Sequence, residues 1–336
     1  MIDERYEVVR WIGDGSFGEV YEVVDRFQET TVALKLLRAF PTHNPWHEAQ
    51  RLTELRSEYI LPVLNADHFG GVPYIVTKLA TNGSAAARMA PRGVAPAIAV
   101  RWARSACRGT SRTHDARLLH RDIKAENLFI DDHGNALLGD FGIAELMNGA
   151  GEASWGGSAE TMAPEVAEGG STSVASDVYS IGASLYGLLA GRYAHTDPDP
   201  AACRAKVVNE APPALRDLAP HVGQALAQRV ARAMSRNPAD RYTSPATFDA
   251  DLGTLPVTDR SWTRTDEHVE SGHSACWRGQ GTGRTDATVC AVPAGKRVEV
   301  VAQHRPSGRR INAAGRPPAP PSALARNLRT AMAAIN

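Results

Sequence analysis

The string His120-Arg121-Asp122-Ile123-Lys124-Ala125-Glu126-Asn127 carries a carboxylate, an ammonium two residues later and a carboxamide five residues later. Those three groups can surround one reacting centre as a base, a cation and a metal-binding amide. Asp140-Phe141-Gly142 follows, with a second carboxylate able to hold Mg²⁺ and a glycine that permits a sharp turn. Nearer the start, Ile12-Gly13-Asp14-Gly15-Ser16-Phe17-Gly18-Glu19-Val20 spaces three glycines so that the backbone can close on phosphate oxygens and offer them N–H groups. These glycines lead into a strand, which sets the pattern apart from the dinucleotide-binding turn that opens a helix. Lys35 ends Val32-Ala33-Leu34-Lys35, and an ammonium inside an apolar strand is costly unless anions meet it. A phosphate and the Glu48 carboxylate would do so. Each string alone also reads as a hairpin turn, a snorkelling lysine or a solvated loop; their order and separation together make that reading poor.

Short Val- and Leu-rich runs at Tyr6–Trp11, Glu19–Val24, Thr31–Leu37 and Val72–Leu79 predict strands around the glycines and Lys35. Apolar spacing predicts helices over Trp46–Leu55, Ala97–Arg108, Asp177–Ala190 and Gly223–Met234. The expectation is a small β-rich lobe, a larger helical lobe and a tail. With 336 residues, 43% of them hydrophobic, the chain can bury a real core, which excludes wholesale disorder and a disulfide-stapled miniprotein. Lysine plus arginine and aspartate plus glutamate both number 37, so no global charge points to nucleic acid or a membrane surface. The balance is uneven, however: residues 258–336 hold twelve basic residues against six acids, and Gly253-Thr254-Leu255-Pro256 punctuates the change. Four cysteines in so long a chain read as reduced thiols. No run of about 18 apolar residues offers a membrane span, and the start of the chain lacks the apolar region of a signal peptide, so a soluble cytoplasmic protein is expected.

Residues 6–252 resemble the eukaryotic-like (Hanks-type) serine/threonine protein kinases of bacteria. The glycine loop, VALK, HRDIKxxN and DFG strings occur in family order, followed by Ala163-Pro164-Glu165 and by Asp177-Val178-Tyr179-Ser180, which looks like the start of the buried helix of the large lobe. The resemblance implies an α+β, two-lobed protein-kinase fold over residues 1–253, with the N-lobe about 1–80 and the C-lobe about 81–253. A linker at 254–257 and a small, β-rich accessory domain at 258–336 complete the division. The implied reaction is transfer of the ATP γ-phosphate to Ser or Thr hydroxyls of protein substrates. Lys35 would hold the α/β-phosphates with Glu48 orienting it, Asp140 and Asn127 would hold Mg²⁺, Asp122 would accept the hydroxyl proton, and Lys124 would reach the γ-phosphate. Gly13, Gly15, Ser16 and Gly18 would cover the phosphates. Ile12, Val20, Ala33 and Phe129 align with the adenine sandwich, Thr77 with the gatekeeper, and Lys78–Ala80 with the hinge. Glu165 and Arg241 align with a structural ion pair.

Arg121 before the catalytic aspartate resembles kinases switched on by an activation-loop phosphate, because an unpaired guanidinium there awaits an anion. Ser154 is then the first autophosphorylation candidate and Thr161 the second, with a transient homodimer as the implied arrangement. Ser158 aligns with the hydroxyl residue that bonds Asp122 and Lys124. Ala125 stands where the family usually has proline, and Ala159 and Thr161 replace its usual Pro and Tyr. The rival readings are a nucleotide-binding pseudokinase scaffold acting through its tail, whose mark would be loss of Lys35, Asp122, Asn127 or Asp140, and a small-molecule kinase, against which the Glu165/Arg241 pair argues.

The tail carries no motif string of this kind. Ser261–Thr265, Ser274–Trp277, Ala287–Val292 and Arg297–Gln303 predict an antiparallel β unit, Pro317–Pro321 an extended stretch, and Ser322 the cap of a helix with Leu324, Leu328, Met332 and Ile335 along one stripe. That stripe is expected to face its own domain. His268, His273, Cys276 and Cys290 can be written as a His₂Cys₂ zinc set, but their spacing fits no finger pattern and both cysteines fall in expected strands, which argues against zinc.

Overall fold

The computed structural model describes all residues except 16–17, 38–52, 54, 142–143, 257–259, 282–284 and 336. Five antiparallel strands, β1 (Tyr6–Gly15), β2 (Gly18–Asp25), β3 (Thr30–Leu37), β4 (Val63–Phe69) and β5 (Val72–Lys78), form one sheet in the order β1-β2-β3-β5-β4. Strand alternation divides their side chains between two faces. Val32 and Leu34 of β3 join Tyr6, Val23, Tyr74 and Val76 in a small apolar core, while Ala33 and Lys35 line the cleft on the other face. The register puts Lys35 opposite Val20 and Ile75, and Ala33 opposite Thr77. β4 was not foreseen, because Asn65, Asp67 and His68 interrupt any apolar alternation.

The helical lobe is built on Val174–Ala190, in which every residue from Ser176 to Ala190 is buried. A helix this apolar all round must be central, and a reciprocal Ser173/Ser176 capping box starts it. The helix Pro96–Asp115 packs Ala99, Trp102, Ala103, Ala106 and Cys107 into the same core. It outruns the expected Ala97–Arg108 because Thr110 and Thr113 are buried and continue its inner face. Helices Pro200–Asn209, Gln224–Ala233 and Pro245–Gly253 complete the lobe. Short strand pairs carry the loops of interest: β6 (Leu118–Leu119) pairs with β9 (Glu145–Leu146), β7 (Leu128–Ile130) with β8 (Ala136–Leu138), and β10 (Glu152–Ala153) with β11 (Thr172–Ser173). The expected helix over Trp46–Leu55 falls almost wholly outside the described residues.

The tail forms a second five-stranded antiparallel sheet in chain order: β12 (Arg260–Thr265), β13 (Ala275–Gly281), β14 (Ala287–Ala294), β15 (Arg297–His304) and β16 (Arg316–Ala319). One face buries Trp262, Trp277, Ala287, Val289, Val300 and Ala302 beneath the helix Leu324–Ala333, whose Leu328 and Met332 enter that core with Leu324 and Ile335 beside them. The stripe therefore faces its own sheet. Two expectations are corrected. Ser322 lies in a short 3-10 turn, and the helix starts from Ala323 with no side-chain cap. The proline stretch is extended only through Pro320, since Pro321 opens that turn, and Pro317–Ala319 belong to β16, which pairs with β15. Polar contacts tie the sheet to the helical lobe: Trp277 Nε1 donates to His221 Nδ1 at 3.2 Å, Arg329 Nη1 to the Arg216 carbonyl at 2.8 Å, and Arg92 pairs with Asp266. No helix among the described residues is long and apolar enough to cross a membrane.

Candidate active site

The cleft between the lobes is lined by Ile12, Val20, Ala33, Lys35, Thr77, Lys78, Ala80, Phe129 and Asp140, all singled out from the sequence. Leu79, inside the expected hinge, and Phe141, of the Asp140-Phe141-Gly142 string, line it too, as do Leu61, Val63, Ile75 and Gly139, which were missed. Ile75 was within reach, since it sits two residues before Thr77 on one strand and so shares its face. Leu61 and Val63 belong to the approach to β4 that the sequence pattern hid. The Lys78 N–H donates to the Pro62 carbonyl at 3.1 Å, so it is not available to a ligand. At the rim, a Cβ on Gly18 would lie 2.1 Å from the Leu36 carbonyl oxygen, which only glycine avoids. Gly13 and Gly15 lie in β1 on the approach to that turn, and Ser16 is outside the described residues.

Deeper in, Lys35 Nζ pairs with Asp140. Glu48, its expected partner, lies outside the described residues. Asp140 and Arg121 both hold left-handed backbone, at φ 57° and 68°, a conformation that costs energy in a non-glycine residue and clusters at functional sites. Asp177, buried at the start of the central helix, accepts the His120 and Arg121 N–H groups at 3.1 and 3.0 Å and His114 Nε2 at 2.8 Å. Burial pushes this carboxyl up, but the His114 bond and the neighbouring charges outweigh it and hold it below the usual range. Asp177 thus fixes the backbone that carries Asp122.

Asp122 is 1% exposed and held on both oxygens. Oδ1 accepts the Ser158 N–H at 3.1 Å; Oδ2 faces Lys124 Nζ at 3.0 Å and Asn127 Nδ2 at 3.0 Å. Lys124 Nζ also donates to Ser158 Oγ at 2.6 Å. Burial raises the Asp122 carboxyl, and the Lys124 charge with the Ser158 bond more than reverses it, so the group is held below the usual range. For Lys124 burial acts downward and the Asp122 charge upward, with a net rise. The pair is therefore ionised at neutral pH. Asn127 Nδ2 also donates to the Asp122 carbonyl at 2.7 Å, which directs the nitrogen inward and leaves the amide oxygen for a hard cation. Ala125, in the usual proline position, donates its N–H to the Tyr193 hydroxyl at 3.0 Å, and Tyr193 in turn donates to Glu126 at 2.7 Å.

The segment after Asp140 closes over this cluster. A Cβ on Gly157, at φ +120°, would lie 2.4 Å from the Arg121 carbonyl oxygen, so glycine lets the segment touch the loop that carries Asp122. Arg121 does not await an anion. Its Nη1 lies 2.6 Å from Glu145 Oε2 and donates to the Ser154 carbonyl and hydroxyl at 3.0 and 2.7 Å, correcting the expectation of an unpaired guanidinium. Ser154 Oγ also bonds Glu145. Thr161 is buried at 1% exposure, so its hydroxyl is out of reach of a phosphoryl donor in this conformation. Arg241 is buried and uses every N–H: two go to Glu165 at 2.8 and 2.6 Å, and the others to the carbonyls of Ser235, Ala175 and Arg236 at 2.7, 2.9 and 3.0 Å.

A five-stranded lobe over a helical lobe, with the charged cluster in the cleft between them, is the two-lobed protein-kinase fold. Residues 6–250 match the family model of the protein kinase domain. The chain is 31% identical over 275 residues to the probable serine/threonine-protein kinase PknB of Corynebacterium glutamicum, covering 76% of this chain and 43% of that protein. It is 30% identical over 262 residues to the serine/threonine-protein kinase PknL of Mycobacterium bovis, covering 75% and 66%, and 27% identical over 269 residues to PrkC of Bacillus subtilis, covering 77% and 42%. The chain belongs to the protein kinase family. It spans 42% to 66% of the length of these relatives.

Proposed function

We propose that this chain transfers the γ-phosphoryl group of ATP to serine or threonine hydroxyls of protein substrates. The observation that carries the reading is Asp122: a buried, ionised carboxylate held by Ser158, Asn127 and Lys124. Phosphoryl transfer passes through a loose transition state, so catalysis is positioning and charge neutralisation. Asp122 would orient the substrate hydroxyl and take its proton, while Lys124 meets charge on the transferring group. Lys35 would hold the α/β-phosphates. Ile12, Val20, Ala33 and Phe129 would enclose the adenine, with the backbone of the hinge Lys78–Ala80, apart from the Lys78 N–H, bonding the base. The hard oxygen donors of Asn127 and Asp140 fit Mg²⁺ and would hold it, and the ion would supply positive charge to offset that of the phosphates. Lys35, Asp122, Asn127 and Asp140 are all present, which supports a working enzyme over a scaffold.

In this reading residues 1–253 form the catalytic domain, 254–257 a linker and 258–336 an accessory domain that helps recruit protein substrates. A transient homodimer would serve autophosphorylation, and the reaction would take place in the cytoplasm, where ATP is at hand. The test is incubation of purified chain and an Asp122→Asn variant with Mg²⁺ and γ-labelled ATP, followed by site mapping. Label on serine or threonine in the wild type, reduced at least about a thousandfold in the variant, is expected. Equal labelling of the two proteins, or none in the wild type despite ATP binding and a generic protein acceptor, overturns the assignment.

A further inference from the structure

Sequence spacing argued against a metal site in the tail, but the structure brings those same four residues together. Cys276 and Cys290 are direct cross-strand partners in the β13/β14 ladder. Their neighbours Trp277 and Val289 point into the core under the C-terminal helix, so by strand alternation both thiols lie on the opposite face of the sheet. They are nonetheless buried, at 0% and 3% exposure. The cover comes from the β12–β13 connection. It turns on itself through Val269 N–H to the Asp266 carbonyl at 2.9 Å and Gly272 N–H to the Val269 carbonyl at 2.9 Å, and Ser274 N–H anchors it to the Ala291 carbonyl at 2.9 Å. The turn swings His268 and His273 over the thiols with their rings edge to face, 5.2 Å apart.

The four groups converge atom by atom. His268 Nδ1 lies 3.2 Å from Cys290 Sγ and 3.7 Å from Cys276 Sγ, and His273 Nδ1 lies 3.5 Å from Cys276 Sγ. All four ligand atoms fall within 4.8 Å of one another. Zinc bonds of about 2.3 Å to sulfur and 2.05 Å to nitrogen, in a regular tetrahedron, require sulfur–nitrogen edges of roughly 3.5 Å. The three separations straddle that value. Two thiolates and two neutral imidazoles would also cancel the charge of a divalent ion in a mostly buried site.

We propose that Cys276, Cys290, His268 and His273 bind one Zn²⁺ ion that staples the β12–β13 connection to the outer face of the C-terminal sheet. Four protein ligands close the coordination shell, which marks a structural and not a catalytic ion, and mixed sulfur and nitrogen donors select zinc over Mg²⁺ or Ca²⁺. Binding replaces two S–H bonds by two Zn–S bonds and releases two protons to solvent, with no change in oxidation state. The ion adds a point of support on the face of the sheet opposite the helix. It also fixes Asp266, two residues before His268, which pairs with Arg92 of the helical lobe. The ion would thereby hold the tail against the kinase domain.

The experiment measures metal content of the full chain, refolded with Zn²⁺ under reducing conditions and then desalted. About one zinc per chain is expected, falling to about a tenth or less in a Cys276→Ser, Cys290→Ser double variant. Because that variant can misfold, the wild type is also loaded with Co²⁺. Tetrahedral thiolate coordination then gives strong visible d–d bands and sulfur-to-cobalt charge transfer, both removed by added Zn²⁺. Less than about a tenth of a zinc in the wild type, equal zinc in both proteins, or a cobalt spectrum without sulfur charge transfer each overturns the site. A Cys276–Cys290 disulfide found by mass spectrometry in protein refolded with Zn²⁺ and reductant overturns it as well.

Discussion

Arg121, on the loop after β6, and Glu145, in the segment after Asp140, form an ion pair with 2.6 Å between Nη1 and Oε2. The two-residue pairing of β6 with β9 sets Leu119 opposite Glu145 and so delivers the carboxylate beside the guanidinium. The same Arg121 nitrogen reaches Ser154. The anion expected from phosphorylation is thus supplied by the chain, and a phosphate on Ser154 would meet the Glu145 carboxylate it now bonds.

Glu145 therefore matters more than Ser154 for ordering the segment. A charge-assisted bond of this kind contributes about 1.5–3 kcal/mol. Glu145→Gln should slow transfer to a protein acceptor by roughly tenfold to a hundredfold, and Ser154→Ala by less than about threefold. Initial rates on phosphatase-treated protein check this. Abolished transfer in Ser154→Ala with Glu145→Gln unimpaired would show that a phosphate does the ordering.

Arg241 satisfies five acceptors with five N–H groups. Arg241→Lys keeps the charge but has only three donors, so buried acceptors are left over. A loss of about 3 kcal/mol is expected, lowering Tm by roughly 6–12 °C. A thermal melt showing less than about 2 °C would mean that the pair is replaceable.

His221 accepts from Trp277 and must be neutral to do so. Burial, with the Arg264 charge second, pushes its pKa down to about 4. A depressed folded-state value makes the contribution to stability complete above the unfolded histidine value near 6.5, and lost as pH falls from there through about 4. The loss is at most about 3 kcal/mol. Melts between pH 7 and 5 should show Tm falling in the wild type and a shallower slope in His221→Gln. Identical slopes would remove His221 from the tail's docking contact.

Gly18 meets the Leu36 carbonyl with no room for a methyl group. Gly18→Ala should displace the β1–β2 turn and weaken binding of a fluorescent ATP analogue by about tenfold. Unchanged affinity would mean that the turn relaxes without moving the phosphate-facing backbone.

The parts of this molecule legible in the sequence are those encoded by neighbours along the chain. Alternation in Val32-Ala33-Leu34-Lys35 sorts two side chains to the core and two to the cleft, and the mostly apolar stretch Val178–Ala190 of the central helix announces a buried element. The rest depends on partners far apart in sequence. Glu145 looks like any loop acid until β6 and β9 pair. Cys276 and Cys290 lie fourteen positions apart until the β13/β14 register sets them face to face, and ligand-spacing rules drawn from short loops do not see a cross-strand pair. Thr161 stood as the second phosphorylation candidate because it is one of few hydroxyls in its segment, yet it is buried, and Ser180 Oγ donates to its carbonyl at 2.8 Å inside the lobe.

The last strand of the C-terminal sheet bears on how that sheet can meet other molecules. Pro317 and Pro318 make up half of β16, and neither has an N–H to donate. The opposite outer strand, β12, lies against the helix Pro96–Asp115. An extended peptide cannot zip onto the proline edge by backbone pairing. Any protein gripped by this domain must be gripped through side chains on its faces and loops, and copies of the chain are denied an easy route to stacking edge on edge.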